Sequence, residues 1–398
     1  MKLFGRNIAN SRMVMVILLC GAFLLLTGCR SAVSSNRADG VKADDPPWVF
    51  VSSPDFFNFD IAYPQPKWEA AIDWFLKQVR KENPDFVLVA GDLVNGHWYD
   101  SRQELEHLAA VYYGNWVHRM QDYGLTYYAA VGDHELGDDP WPNEKIKLVP
   151  LFDKAFLEHL GMPVNGPAGM EGRAYYVLHK NLLLITVETF ELKDNQMRLT
   201  VSDEQLKWLE QVLKEHQNAA HIIVQGHLPI IPGVKSRSSS YLMLEDGTES
   251  DFWRVMKKYG VEMYLCGEHH AVTVGEKDGI WQIVHGSSWG RVETINYMVV
   301  KVWPEKMELE IKEFPVELKG GNIWNINKPK GPREIVEISE AVRKNGPQVV
   351  GTMVIDKTNG TKQFLNRQGV FDPKVQAEQA RQNQEAEQAR KSASKNDG

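Results

Sequence analysis

Apolar residues in this chain follow two rhythms. Short continuous runs predict strands buried on both faces: "WVFVSS" (48–53), "FVLVAGD" (86–92), "TYYAAVGDHE" (126–135), "HIIVQGH" (221–227) and "VEMYLCGEHH" (261–270). Between them, Trp68, Ile72, Phe75, Leu76 and Val79 fall at helical spacing, and a second helix is predicted over about 103–122. "AYYVLH" and "LLLITVET", from Ala174 onward, predict a strand pair. Ser202 followed by Gln205 predicts a capping box, opening a helix whose buried face is Leu206, Leu209, Val212 and Leu213. Beyond about residue 280 come strands without helices, "WQIVH", "YMVVKVW" and "ELEIKEF". A βα alternation followed by a meander predicts an α/β domain with more than one sheet.

The pattern breaks at "KGGNIWNINKPKGP" (319–332). After it a short helix and a hairpin, "GTMVIDKTNGTKQFLN" with Asn359-Gly360 at its turn, are predicted. From Pro373 the chain repeats "AEQAR" nine residues apart with almost no apolar face, which predicts a solvated or disordered tail. At the other end Lys2, Arg6 and Arg12 flank the apolar stretch Met13–Leu26. Leu26-Thr27-Gly28-Cys29 resembles a bacterial lipobox, which implies a signal peptide over 1–28 and lipid on Cys29; the alternative is an uncleaved anchor. Residues 29–47 then read as a polar tether, 48–318 as the main domain, 319–372 as a C-terminal extension and 373–398 as the tail. The implied location is the bacterial cell envelope after export, on the outer membrane facing the periplasm, with the membrane as a partner through the lipid.

Composition narrows the classes. Of 398 residues 43% are hydrophobic, enough for a large core, and twelve Trp argue against disorder. A net charge of −7 gives no support to nucleic-acid binding. With Cys20 in the signal and Cys29 taking lipid, Cys266 is left alone, so the mature chain forms no internal disulfide. Its apolar strand predicts an inert core thiol.

Four strand ends carry chemistry: Gly91-Asp92, Gly132-Asp133-His134-Glu135, Gly226-His227 and Gly267-Glu268-His269-His270. One glycine with a polar neighbour is an ordinary turn. Four of them, each closing a buried strand, predict convergence at the carboxyl edge of a sheet, where ligands bind. Carboxylates mixed with imidazoles and no thiolate suit Mn, Fe, Zn or Mg.

In order and spacing these motifs resemble the calcineurin-like metallophosphoesterase superfamily: Asp-x-His, Gly-Asp-x-x-[Asp/Asn], Gly-Asn-His-[Asp/Glu], Gly-His and Gly-His-x-His. The resemblance covers about residues 48–303, and "EQLKWLEQVL" (204–213) is similar to a helix of that family. It implies two packed mixed β-sheets flanked by helices, two divalent metals with Mn favoured, and hydrolysis of a phosphate ester through a bimetal-bound hydroxide. It also implies that Asp92 bridges the metals, that Asp133, His227 and Glu268 hold one, that His270 helps hold the other, and that His134 serves the scissile phosphate. The chain departs from the pattern in three places. Asp133 replaces an Asn, Glu268 replaces a His, and "SSPDFFNFD" (52–60) lacks Asp-x-His. Asp55 fits the position of either the Asp or the His. Asp60, or the Asn58 carbonyl, is the candidate for the missing ligand. His97 and Trp98 are candidates for the substrate pocket or for a surface loop, and His285 for the site. A non-catalytic metal- or ligand-binding lipoprotein of the same fold, or a surface scaffold using the extension, are the rival readings.

Overall fold

The continuous apolar runs become the centres of two sheets. The computed structural model describes residues 45–55, 66–94, 102–238, 240–287, 289, 292–319 and 335–382. Cys29, Asn58, Asp60, His97 and Trp98 lie outside the described residues. In chain order the first part runs β1 (Trp48–Ser52), α1 (Pro66–Lys81), β2 (Phe86–Val89), α2 (Arg102–Asp122) and β3 (Tyr127–Ala129). Helices α3 (Asn143–Ile146) and α4 (Val149–Leu160) precede β4 (Tyr175–His179), β5 (Leu182–Thr186) and the small hairpin β6 (Glu191–Lys193) and β7 (Gln196–Arg198). Next come α5 (Asp203–Glu215), β8 (His221–Gln225), α6 (Asp251–Lys258), β9 (Met263–Cys266), β10 (Thr273–Lys277) and β11 (Ile280–Val284). The last part holds β12 (Thr294–Val302), β13 (Lys306–Pro315), β14 (Glu317–Lys319), β15 (Ile335–Glu337), α7 (Glu340–Asn345), β16 (Gln348–Asp356) and β17 (Gln363–Gly369).

One sheet has the order β17-β16-β13-β12-β1-β2-β3, the other β10-β11-β9-β8-β5-β4. Within the first, β1, β2 and β3 are parallel; within the second, β5, β8, β9 and β11 are parallel. Their flanks are antiparallel, so both sheets are mixed. Strands β2, β5, β8, β9 and β11 are buried at every position, as parallel strands covered on both faces must be. The sheets meet face to face. Tyr175 on β4 donates its hydroxyl to the Ala129 carbonyl on β3, and Gln225 on β8 reaches the Tyr128 carbonyl. Helices cover the outsides. On α1, Trp74 and Phe75 pack edge-on against Phe314 and Tyr297; on α2, Trp116 meets Tyr127; on α6, Phe252 meets Tyr264. Among the described residues no helix is long and apolar enough to cross a membrane.

Several local expectations are corrected. The capping box does not form: the Ser202 hydroxyl donates to Glu191, and the Gln205 amide pairs with the backbone N–H and carbonyl of Glu188. Both side chains serve a neighbouring segment instead of the helix end. Strand β3 is only three residues long: the Ala130 N–H still donates to the Val89 carbonyl at 2.8 Å, and after it the chain leaves the ladder. The predicted hairpin forms as β16 and β17, with β16 paired along β13, so the extension widens the first sheet. Residues 373–382 are helical and mostly exposed, with the rest of the tail outside the described residues. Cys266 is fully buried, and burial pushes its thiol well above the usual range.

Candidate metal centre

Because β1–β3 and β5, β8, β9 and β11 run the same way within their sheets, each set of parallel strands ends along one edge. The next residues after five of these strands supply the site: Asp55 after β1, Asp92 after β2, Asp133–Glu135 after β3, His227 after β8 and Glu268–His270 after β9. Backbone hydrogen bonds stitch the ends together, from Asp55 N to Gly91 O at 3.1 Å and from Gly267 N to His227 O at 3.0 Å.

The turn that presents these side chains is strained. Asp55, Asp92, Glu268 and His270 have φ of 56°, 62°, 70° and 50°, in the left-handed region that costs a non-glycine residue about 1–3 kcal/mol. Four such residues at adjacent strand ends are held there by their surroundings. Glu135 does much of this. Fully buried, it accepts the N–H groups of Asp92 at 2.7 Å and Gly132 at 2.8 Å on one oxygen, and those of Leu93 at 2.8 Å and Val94 at 3.2 Å on the other. Both oxygens are therefore committed to backbone, and Glu135 shapes the turn behind Asp92. The motif "GDHE" contained it, yet a carboxylate next to candidate ligands reads from sequence as one more ligand or as nothing.

His227 fixes the electrostatics. Its Nδ1 lies 2.7 Å from the Ala90 carbonyl, which can only accept, so that nitrogen carries the proton. Its buried Nε2 makes no well-aligned hydrogen bond. Around it stand Asp133 Oδ1 at 3.0 Å, Asp92 Oδ1 at 3.5 Å and Glu268 Oε2 at 3.6 Å. A lone pair facing three carboxylate oxygens in a buried pocket is repulsive unless a positive charge sits among them. With protons as the only cations, the groups compete for them. Burial, reinforced by Asp133, pushes Asp92 well above the usual carboxylate range, and burial pushes Asp55 up to about 8. Against its own burial, Asp92 and then Asp133 and Glu268 hold His227 well above the usual imidazole range. Asp133, despite burial, is held below its ordinary value by His134 and His227. Divalent cations would replace those protons, and the residues fit them. Four sets of donor atoms lie within 4.8 Å of one another among the described residues: Asp55 with Asp92 and His227; Asp92 with Asp133 and His134; Asp133 with His227 and Glu268; and, less buried, Asp133 with Asp138 and Asp139.

Asp133, His227 and Glu268, expected as one set, lie together, and Asp55 groups with Asp92 and His227 while accepting the Glu268 N–H at 3.1 Å. Among the described residues, His270 enters none of these sets, although it is buried beside them. His134 begins a single 3-10 turn, and its Nε2 lies 3.7 Å from Asp138 Oδ1 and 4.0 Å from Asp133 Oδ2. Itself buried, its ring reaches the half-buried Asp138, on the less enclosed side of the cluster. The Asp139 carboxyl is pushed up to about 6 by burial and by Asp133 and Asp138. His285, beyond β11, is fully buried, and burial pushes it down to about 4. His269 is also buried, pushed down to about 4, and stacks on Tyr241 with ring centroids 4.5 Å apart. The sequence reading missed Ser238 and Ser240, which hydrogen-bond Glu268 from a distant segment. Only the hydroxyl-rich run "SRSSS" hinted at them.

A family model described as calcineurin-like phosphoesterase matches residues 65–272, just over half of the chain. No curated protein matches its sequence. Among solved structures, a dimetal phosphatase from Danio rerio is 14% identical with a TM-score of 0.47, over 67% of this chain and 96% of that one. A purple acid phosphatase from yellow lupin (Lupinus luteus) seeds is 14% identical with a TM-score of 0.46, over 68% of this chain and 52% of that one. An anchor in the inner membrane complex of Plasmodium is 14% identical with a TM-score of 0.44, over 74% and 91%.

Proposed function

The chain belongs to the calcineurin-like phosphoesterase family, and from that premise we propose that it hydrolyses a phosphate ester with two divalent metals, Mn²⁺ foremost. The observation that carries the reading is His227 Nε2, left to face the cluster because Nδ1 donates to the Ala90 carbonyl, and surrounded by three carboxylate oxygens within 3.6 Å that call for a positive charge among them. Asp133, His227 and Glu268 would hold one ion, Asp92 would touch both, and Asp55 would hold the second with help from His270 and Asp60. When bound, such ions supply Lewis acidity to the ester and water acidified to a pKa near about 7. The protein's own groups do the rest. Glu135 keeps the Asp92 turn in register, and His134 stands on the less enclosed side, where an N–H can be donated to the phosphate or the departing oxygen. Four anionic ligands favour hard cations over zinc. The family membership supports a phosphate-ester substrate. For location we propose export and a lipid on Cys29, holding the domain at the outer membrane facing the periplasm, on the strength of the lipobox resemblance.

A second reading, a metal- or ligand-binding lipoprotein without turnover, draws on the second position. Among the described residues its donors are Asp55, Asp92 and a His227 shared with the first. One experiment separates the two. The purified full chain is stripped with chelator, reloaded with Mn²⁺, assayed for metal content and tested on an aryl phosphate. Hydrolysis lost on stripping and restored by Mn²⁺, at two ions per chain, is the expected result. Stripped protein with undiminished hydrolysis would sink the metal reading, and a loaded but inert protein would favour the second.

A further inference from the structure

Glu268 stands where a resembling family member has an imidazole, and its two oxygens face different ways. Oε2 lies 3.6 Å from His227 Nε2, inside the donor cluster. Oε1 is turned away and collects three donors from one distant segment: Ser238 Oγ at 2.6 Å, Ser240 Oγ at 3.2 Å and the Leu242 N–H at 3.0 Å. Ser238 has no spare capacity. Its single proton goes to Glu268, while its oxygen receives the N–H groups of Ser240 at 3.3 Å and Tyr241 at 3.2 Å. The segment is fastened to the same strand end twice more. Arg237 N donates to the His269 carbonyl at 2.8 Å, and the Tyr241 ring stacks on the His269 ring at 13°. Elsewhere its fastenings are polar too, with Val234 N on Thr273 Oγ1 at 2.9 Å. Lys235 and Arg237 are exposed between these points.

We propose that Ser238, supported by Ser240 and the Leu242 amide, is the positioning residue for Glu268, so that metal binding through Glu268 and the docking of this serine segment are one coupled event. The inference rests on the reading of Glu268 as a metal ligand. A carboxylate can rotate about its last bond, and three donors on one oxygen fix where the other points. Partners of this kind, behind a ligand, typically contribute about 10–100-fold to metal affinity. An imidazole could not serve both sides in this way, because its second nitrogen would be a donor. Coupling between two binding events is reciprocal, so whatever the serines contribute to the metal, the metal returns to the segment. The exposed, polar-anchored Lys235 and Arg237 make that return measurable.

The full chain, stripped of metal, is titrated with Mn²⁺ by calorimetry as wild type, Ser238→Ala, Ser240→Ala and Ser238→Thr. Ser238→Ala weakens one of two Mn²⁺ equivalents by about 10–100-fold and leaves the other unchanged, Ser240→Ala weakens the same equivalent by less, and Ser238→Thr recovers most of the loss. In parallel, Mn²⁺ slows tryptic cleavage after Lys235 and Arg237 in the wild type and loses that effect in Ser238→Ala. Two Mn²⁺ bound by Ser238→Ala at wild-type affinity overturns the proposal. Should Ser238→Ala fail to fold, the wild type decides, because equal cleavage after Arg237 with and without bound Mn²⁺ also overturns it. A wild type that takes up no Mn²⁺ is a different failure, that of the metal reading itself.

Discussion

At the scale of single residues, Glu268 shows why a ligand cannot be exchanged by chemistry alone. Replacing it with histidine restores the resembling family's usual donor, and from the sequence one expects a folded protein shifted towards Zn²⁺. The surroundings add a cost. The half-buried Ser238, Ser240 and Leu242 N–H lose their common acceptor, and a fully buried unpaired donor would cost about 1–3 kcal/mol, an upper bound for these. Glu268→His is therefore expected to retain a metal site whose Zn²⁺-over-Mn²⁺ preference rises, with a melting temperature lowered by several degrees. Competition titrations and thermal melts check both parts, and an unchanged melting temperature would show that the serines find other acceptors. Asp92, Asp133, His227 and Glu268 stood out because each follows a glycine at the end of an apolar run, and His134 because it follows Asp133. Glu135 and Ser238 were not. Their partners are backbone amides and a carboxylate 30 positions away, which no local spacing encodes.

Elements tell a similar story about what a pattern can carry. Strands β2, β5, β8, β9 and β11 were readable because burial on both faces removes polar residues altogether. Helices α1, α2 and α5 were readable because three or more turns let the helical period repeat. The eight-residue α6 and the four-residue α3 are too short for that, and the β6–β7 hairpin pairs only three residues a side with little buried surface. The turn after β2 is the element on which the site depends most. Gly91 has φ of 89°, and a Cβ there would lie 2.4 Å from His227 Nδ1 and 2.9 Å from the Gly132 backbone. Gly91→Ala therefore combines a left-handed backbone cost of about 1–3 kcal/mol with a displaced His227. Reduced thermal stability together with the loss of bound metal is expected. A variant melting like the wild type with full metal content would mean that the turn relaxes without moving its ligand.

For the whole molecule, the question is what the C-terminal extension does for a sandwich whose site lies elsewhere. The β16–β17 hairpin lengthens the first sheet but also grips the second. Phe364 and Phe371 pack edge-on against Trp281 of β11 at 5.7 and 5.6 Å, and the Arg367 guanidinium lies 5.4 Å over the same ring. Lys357 reaches Glu262, just before β9, at 2.8 Å, and Glu262 also takes the Nδ1 of buried His221 at 3.1 Å and the Ile222 N–H at 3.1 Å. These contacts sit where β8 and β9 begin, at the opposite end of those strands from His227 and Glu268. Burial alone would raise the Glu262 carboxyl, but the His221 hydrogen bond, the His221 charge and Lys357 outweigh it and hold the group below the usual range. A carboxyl with a folded pKa below its unfolded value stabilises the fold when ionised. That contribution is complete above the unfolded value of about 4.3 and is lost as pH falls through the folded one. Glu262→Gln removes it by leaving a buried histidine and a lysine without their anion, a class of change that costs about 3–5 kcal/mol. Melts of metal-free protein across pH should therefore show the variant well below the wild type at neutral pH. The gap should close as the pH drops below about 4, because only the wild type still has this charge to lose. Two curves that stay parallel from neutral to acid pH would mean that Glu262 contributes packing and hydrogen bonds but no charge.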